Sequence, residues 1–464
     1  MCVPELAQPP ERFRVIARGK LGDAHTQAAL DESTDRLRSH RIDAWADVQD
    51  VEELRERAHA IRMQVIDHLD EHVDRFTAAL EARGGRVFFA RTADEASAYV
   101  ADVCTRAGAK LAAKSKSMVS EEIGLNEALD AVGVTPVETD LGEYILQLAG
   151  EHPVHIIAPA IEKTAEDVAV LLSRAGGEDV PAELEALTQA ARRQLRETFL
   201  QADVGITGAN FGVSSTGSVC LVTNEGNGRL VSSLPRVHVA LMGMERLVPT
   251  TADLAVLLKL LARSGTGQKL TVYTTLVTGP RRAGEQDGPE ELHVVILDNG
   301  RSNLLRGRYR EMLACIRCGA CLNVCPVYRK AGGAAYGPVY SGPMGAVLLP
   351  LLVGLDEAPS LPHASSLCGA CTEACPVKIP LHELLLDLRR DLVQEGVASR
   401  WERLGFSLWS LAWSSVLGYR AATRLARLGQ PFAGVLGPGR VWSAGRVLPR
   451  FGRRFRDGRR RGRS

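Results

Sequence analysis

The sequence predicts an α/β domain joined to a smaller, helix-built module organised around cysteines. Three observations predict it. Short β-rich runs recur between about residues 85 and 300, with helix-like stretches between several of them. Seven of the ten cysteines fall in two short windows, 315–325 and 368–375. The stretches around those windows are apolar or amphipathic at helical period rather than β-rich. A chain of 464 residues has room for two or three domains, and 45% apolar with 24% charged residues is the make-up of an ordinary globular protein.

The first element, residues 1–80, reads as a helical, charged segment. Leu54, Ala58, Ile61, Val65, Ile66 and Leu69 recur near helical spacing, which predicts a packing or docking helix, and Asp50 is placed to cap its start. The α/β domain spans 81–302. Its expected strands are RVFFA (86–90), VHIIAP (154–159), DVGITG (203–208), SVCLVTN (218–224), VHVALMG (237–243), LTVYTTLV (270–277) and LHVVILDN (292–299). Thr92 with Glu95 three residues on is a capping-box signature for the helix after the first strand. Three strands between 203 and 243 with little helix predict a hairpin or mixed edge, hence a mixed sheet with flanking helices.

Residues 303–396 carry the decisive motifs. Cys315, Cys318, Cys321 and Cys325 stand as C-x2-C-x2-C-x3-C before Pro326, and Cys368, Cys371 and Cys375 as C-x2-C-x3-C before Pro376. Close cysteines on a tight loop supply three thiolates to three corners of a cubane, and small neighbours such as Gly319, Ala320, Gly369 and Ala370 let backbone N–H groups approach the sulfides. In two-cluster ferredoxins the fourth cysteine of such a run ligates the other cluster. That rule assigns Cys315, Cys318, Cys321 and Cys375 to one [4Fe–4S] cluster and Cys325, Cys368 and Cys371 to a second. The second is one thiolate short, because Ser365 stands where an eighth cysteine would be. A serine, His363, water or partner ligand completes a [4Fe–4S] centre there, or three cysteines hold a [3Fe–4S] centre. Zinc knuckles use pairs of C-x2-C with four ligands each, a pattern that seven cysteines in this spacing do not match. Cys104 in a helical pattern and Cys220 in a strand read as buried, inert thiols, and Cys2 as terminal and exposed. The spacer PMGAVLLPLLVGL and the following IPLHELLLDLRRDLVQEG are helix-like, so the module resembles the α-helical ferredoxin of succinate dehydrogenase-type subunits.

The last element, 397–464, holds a segment with three of the five Trp and then an Arg-rich tail. Fifteen Arg against two acids give it +13, so the overall charge of +1 leaves −12 on the rest. Trp flanked by Arg suits the surface of an anionic membrane; the plainer alternative is a packed helix with a solvated tail. The N-terminus shows no secretory pattern and no run of 18 apolar residues occurs. Clustered cysteines in that setting point to a reducing cytoplasm, with peripheral contact at the inner face of the membrane as a further reading.

Four stretches together resemble the bacterial lactate-utilisation protein B family: KSKSMVSEEIGLNEAL (114–129), TGANFGVSSTGSVCLVTNEGNGRL (207–230), CIRCGACLNVCPVYR (315–329) and SSLCGACTEACPVKIPLHELL (365–385). The resemblance covers about residues 10 to 420. It implies that the α/β part is a LUD domain, with a phosphosugar isomerase-like fold, and that the seven cysteines match the family's cluster ligands. It further implies a role in growth on L-lactate, as the electron carrier beside a cysteine-rich CCG-domain protein and a second LUD protein. Within the LUD part, the Gly/Ser/Thr-rich GANFGVSSTGS (208–218) and Lys114 and Lys116 with Ser115 and Ser117 are candidates for an anion pocket, Glu225 and Asn227 sit in a polar turn, NEGNG, and Glu121 and Glu122 read as a solvent-facing pair. No nucleophile–base pair is evident, so no catalytic residue is assigned. Two other readings stay open: a LUD enzyme acting on an organic acid or CoA-like anion beside the clusters, and a redox-sensing or structural cluster module.

Overall fold

The computed structural model describes residues 12–397 and 400–429; Cys2 and the arginine-rich tail after 429 lie outside the described residues. Residues up to Leu392 form one compact unit and those from Val393 a second.

Ten strands build two sheets in the first unit: β1 (Arg86–Ala90), β2 (Leu111–Ser115), β3 (Thr135–Glu138), β4 (Val204–Gly208), β5 (Phe211–Val213), β6 (Ser218–Thr223), β7 (Val237–Gly243), β8 (Leu247–Val248), β9 (Tyr273–Val277) and β10 (Glu291–Leu297). The larger sheet has the order β1-β10-β7-β4-β2-β3 and is parallel throughout. A parallel sheet needs apolar cover on both faces. Cys104, Val100 and Leu129, from the helices Ala93–Arg106 and Leu125–Ala131, cover Val239, Leu241 and Val295 on one face. Phe76 and Leu80 of the helix Leu69–Glu81 cover Ala240, Met242 and Ile296 on the other. The alternation along β7 and β10 follows from the two-residue period of a strand.

The smaller sheet, β8-β5-β6-β9, contains the hairpin that the 203–243 run predicted. Its β5–β6 and β6–β9 pairs are antiparallel and its β5–β8 pair parallel. Mixed pairing is therefore confined to this sheet. Four strands were missed in the sequence: β2 and β3, because LAAKS is alanine-rich and TPVE carries a proline, both poor strand signals, and β5 and β8, which are only three and two residues long. VHIIAP (154–159), expected as a strand, forms irregular turns instead. There His155 Nδ1 accepts the backbone N–H groups of Ile157 and Ala158 at 3.1 and 3.0 Å, which folds the chain back on itself.

Four helices precede the sheet: Arg12–Gly22, Ala24–Ala46, Val51–Asp67 and Leu69–Glu81. Asp50 does sit at the start of the third, but in a left-handed conformation (φ 50°) with no side-chain cap bond. Thr92 caps its helix through Glu95 N–H, while the Glu95 carboxylate reaches the N–H of Arg91 rather than of Thr92. The helix Val51–Asp67 buries Ala58, Ile61 and Ile66 in a core that also holds Leu257 of the helix Thr251–Gly265 and Leu322, Tyr328 and Leu385 around the cysteine motifs. Full burial of each large aliphatic chain is worth roughly 1.5–3 kcal/mol, so this shared core welds the N-terminal helices and both later parts together.

One polar side chain crosses that core. Arg62 is fully buried and donates to the carbonyls of Leu247 (2.6 Å), Leu313 (3.2 Å), Ala314 (3.3 Å) and Glu245. Burial, with Arg246 nearby, lowers its pKa to about 9, which still leaves it charged at neutral pH. At the sheet's other edge Lys114 and Glu138 face each other in the β2–β3 register, with Nζ and Oε1 2.6 Å apart and Lys114 almost wholly buried. Glu143, also buried, faces Glu138, Asp140 and Glu121; burial first, then those carboxylates, push its pKa well up, against the opposing charge of Lys116.

In the second unit, helices Arg400–Ser414 and Val416–Gly429 pack on each other. Trp401, Trp409, Leu411, Leu417 and Leu425 are exposed there. Among the described residues no helix is long and apolar enough to cross a membrane.

Replacing Arg62 by Met removes the donor for four buried carbonyls, and a loss of about 3 kcal/mol or more in denaturant unfolding is expected; an unchanged midpoint would refute this bridging role. For Glu143 the folded pKa lies above the unfolded value, so its ionisation opposes folding as pH rises beyond the unfolded pKa. Glu143→Gln is therefore expected to raise the thermal midpoint at pH 8 and leave it nearly unmoved at pH 4.5, and equal effects at both pH values would contradict the assignment.

Candidate iron–sulfur centre and the cavity beside it

The two cysteine windows fold alike. Arg317 (φ 59°) and Gly319 (φ 74°) turn the chain around Cys318 before the short helix Ala320–Asn323; Leu367 (φ 55°) and Gly369 (φ 83°) do the same around Cys368 before the helix Ala370–Ala374. A side chain on residue 319 would also stand 3.1 Å from Ile157, so this left-handed position suits glycine twice over. The turns aim backbone N–H groups at sulfur: Arg317 N–H at Cys315 Sγ (3.5 Å), Tyr328 N–H at Cys325 Sγ (3.5 Å) and Ile379 N–H at Cys375 Sγ (3.4 Å). Leu367 N–H meets Ser365 Oγ at 3.1 Å in the position that Cys315 Sγ holds in the first loop.

Cys315, Cys318, Cys321 and Cys375 line one small cavity together with Ile316, Val377 and Met344. Cys325, Cys368 and Cys371 form a second group: beyond burial, Cys368 raises the pKa of Cys325, and Cys325 and Cys368 raise that of Cys371. Burial, reinforced by neighbouring sulfurs, pushes Cys318 and Cys371 up to about 12, and Cys321 further. Burial also raises Cys375, to about 11. Such thiols are poor anions alone and become stable thiolates only around a cation. Among the described residues no three His, Cys, Asp or Glu converge on a point that would suit a single metal ion. Four sulfurs spread around a cavity instead fit a cluster, which gives each thiolate its own iron. The cavity thus fits a [4Fe–4S] group.

Arginines hold the backbone of these loops. Arg246 Nη1 donates to Cys315 O (2.9 Å) and Arg55 Nη2 to Cys375 O (2.8 Å). Arg41 donates to Ala374 O (3.1 Å), while Arg62 holds Leu313 and Ala314. Around the second group, Arg389 donates to the carbonyls of Pro362 and Ser365, both at 2.8 Å. His155 bolts the irregular 154–158 turn to the first motif: with Nδ1 accepting, Nε2–H donates to Asn323 Oδ1 at 3.0 Å. Burial lowers His155 to about 3, so it stays neutral.

Beside the first loop lies a cavity of about 230 Å³. It opens at the carboxyl ends of β2 and β4, where the chain turns outward to β3 on one side and inward to β7 on the other. Open α/β sheets bind ligands at such a reversal. Ser115, Lys116 and Ser117 line it after β2, and Gly208, Ala209 and Asn210 after β4. Arg317 and Ile156 form part of both this wall and the wall of the cysteine cavity. Its floor is an ionic network. Arg301 pairs with Glu122 through two bonds of 2.8 and 2.7 Å, and its Nε lies 2.8 Å from Glu245. Glu245 also meets Arg317 at 3.3 Å. Burial would raise Glu245, but Arg301, Arg317 and Arg246 together hold it at about 2.

The sequence candidates divide accordingly. Lys116, Glu225 and Asn227 line the cavity, whereas Lys114 is spent on Glu138 and Asn126 and reaches no ligand space. Ser117 Oγ caps a helix by accepting Ser120 N–H at 3.0 Å. Only the start of GANFGVSSTGS reaches the cavity; the rest is the β5–β6 hairpin, where Gly217 packs against the backbone of Leu80. Glu122, expected to face solvent, is fully buried on Arg301, because the helix Met118–Glu122 turns it under the cavity floor. Cys104 and Cys220 are buried thiols, raised by burial to about 12. Sequence reasoning missed Arg62, Arg246, Arg301, Glu245 and His155, since no local pattern marks a long-range partner.

A model of the LUD domain family matches residues 73–297, and one of the 4Fe-4S dicluster domain matches 311–379. A crystal structure of a DUF162 family protein from Deinococcus radiodurans aligns with 49% of this chain and 98% of its own, at 14% identity and a TM-score of 0.26. Lactate utilization protein B of Macrococcus caseolyticus is 50% identical over 402 residues, covering 86% of this chain and 84% of its own. The proteins of the same name from Bacillus velezensis and Bacillus licheniformis are 49% and 47% identical, covering 93% and 96% of both chains. The chain belongs to the lactate utilization protein B family, an iron–sulfur family that joins a LUD domain to a 4Fe-4S dicluster domain.

Proposed function

We propose that this chain is the iron–sulfur electron-transfer component of a system that oxidises L-lactate to pyruvate. The observation that carries this reading is the sorting of seven cysteines into two neighbouring sets with different access to solvent. The first set lines a small cavity against the LUD part, with Cys318, Cys321 and Cys375 buried, while Cys368 of the second is exposed. Bound clusters take up and release single electrons. Cys315, Cys318, Cys321 and Cys375 hold the first [4Fe–4S] cluster, and Cys325, Cys368 and Cys371 the second, with Ser365 Oγ at the vacant fourth corner. The N–H···S bonds and the arginine-held loops fix the ligand geometry and set the potentials.

The chain's partners in this reading are a cysteine-rich CCG-domain protein and a second LUD protein, as the family resemblance implies. The surface around exposed Cys368 is the face through which they exchange electrons. The cytoplasm is the expected site, and the apolar, Trp-bearing helices of the second unit with the basic tail suit a peripheral contact with the inner membrane face. The cavity beside the first loop favours one second reading: a LUD enzyme acting on an organic acid, with the clusters as accessory redox centres.

Anaerobically prepared protein is expected to contain about eight irons and, after dithionite, two interacting paramagnetic centres by EPR. One cluster only, or zinc in place of iron, would overturn the relay. Cross-ligation is tested by paired variants: Cys375→Ser is expected to abolish the first centre's signal and Cys325→Ser the second's, although each lies in the other window's sequence. If Cys375→Ser instead removed the second centre's signal, or Cys325→Ser the first's, the assignment would be refuted. Ser365→Cys supplies an eighth thiolate, so it is expected to change the second centre's EPR signal and leave the first's alone; an unaltered spectrum would remove Ser365 from the ligand set.

A further inference from the structure

The ionisable groups lining the cavity beside the first loop are unequally satisfied. Arg301 and Arg317 spend their charge on Glu122 and Glu245. Asp140 and Glu225 each accept a backbone N–H, from Glu143 and Leu141. Lys116 donates only to Ile157 O (3.0 Å), and Arg246 only to backbone carbonyls. Neither cation has a carboxylate within ion-pair distance among the described residues. Asn227 adds a directional group. It is 4% exposed, lines the cavity, and its amide Nδ2 has no hydrogen-bond partner. A buried amide donor left unpaired costs about 1–3 kcal/mol, which a ligand oxygen would recover. Met118, Ile156, Ile157, Leu221 and Leu261 give the rest of the wall an apolar side, next to hydroxyl groups such as those of Ser115, Thr223 and Thr266.

From this we propose that the cavity is a binding site for a 2-oxo monocarboxylate with an apolar side chain. The carboxylate meets Lys116 and Arg246, the 2-oxo oxygen accepts from Asn227 Nδ2, and the alkyl chain lies on the Ile157 and Leu261 wall. A volume of about 230 Å³ equals the space of about eight waters, so a chain longer than three carbons fills it better than pyruvate does. The site shares Arg317 and Ile156 with the first cysteine cavity, so a bound anion lies against the first cluster's ligand loop. The proposal goes beyond the electron-transfer reading and does not depend on it, because binding is read without turnover.

The test uses the full chain with its clusters, titrated calorimetrically with pyruvate, 2-oxobutyrate and 2-oxohexanoate, with hexanoate and inorganic phosphate as controls. Saturable binding that tightens along the 2-oxo series and exceeds that of hexanoate is expected. Lys116→Met and the isosteric Asn227→Asp are expected to weaken it at least tenfold while iron content and the reduced EPR spectrum stay unchanged. In the parent protein the ligand is expected to shift the first centre's EPR signal and not the second's. Equal binding of hexanoate would overturn the role of Asn227, preference for phosphate would overturn the carboxylate class, and no saturable binding at millimolar concentrations would overturn the site.

Discussion

The backbone of the cysteine loops depends on arginines that donate to its carbonyls. A loop that brings four thiolates to one buried cavity leaves its carbonyls unpaired, and buried carbonyls need donors. Arg41, Arg55, Arg62 and Arg246 supply them from two N-terminal helices and the turn after β7. A neutral donor would satisfy the same oxygens. A guanidinium does so while placing positive charge beside a group whose thiolate ligands are negative, and each can serve several carbonyls at once through its planar fork. The burial that depresses Arg62 and Arg246 to about 9 and 10 would cost much more without anionic chemistry nearby.

This arrangement explains why the N-terminal helices are part of the site rather than an appendage. Arg41, Arg55 and Arg62 come from elements that precede the first strand, yet they reach residues more than 250 positions later. The parallel sheet supplies the rest. Its carboxyl ends carry Glu122 after β2, Glu245 and Arg246 after β7, and Arg301 after β10; Arg246 and Glu245 touch the first cysteine loop directly, and Arg301 ties Glu122 to Glu245. A parallel sheet puts all its carboxyl ends on one edge, so residues far apart in sequence meet there. The cavity between β2 and β4 and the first cysteine cavity therefore share a wall as a consequence of topology.

How much of this could be read in the sequence varies with the range of the signal. The strand RVFFA and the amphipathic helix around Ile61 and Val65 are stated by local period, and the helix after Thr92 by its cap as well; all three stand where those signals put them, although Asp50 makes no cap bond. The strands LAAKS and TPVE are made by their place in the sheet and not by their own preference. VHIIAP is the converse: a β-like composition overruled by His155, whose ring is claimed by Asn323 beside the cysteines.

The cysteines themselves were readable because a cluster imposes its spacing on a short segment, whereas the groups that support them come from everywhere. Glu122 illustrates the limit. Beside Glu121 it looks like half of a solvated acidic pair, and only the fold places Arg301, Asn299 and Tyr340 around it. Ser365 marks the opposite case, in which sequence and structure meet on one atom. Counting back three from Cys368 places it at the missing ligand position, and the backbone then gives it the same N–H contact that Cys315 receives. The second loop therefore repeats the local conformation of the first, with a serine oxygen at the place of the first loop's leading sulfur. An oxygen ligand is harder than a thiolate and would bind a corner iron less covalently, so under the proposed ligation Ser365 would alter the chemistry of that corner without requiring the loop to move.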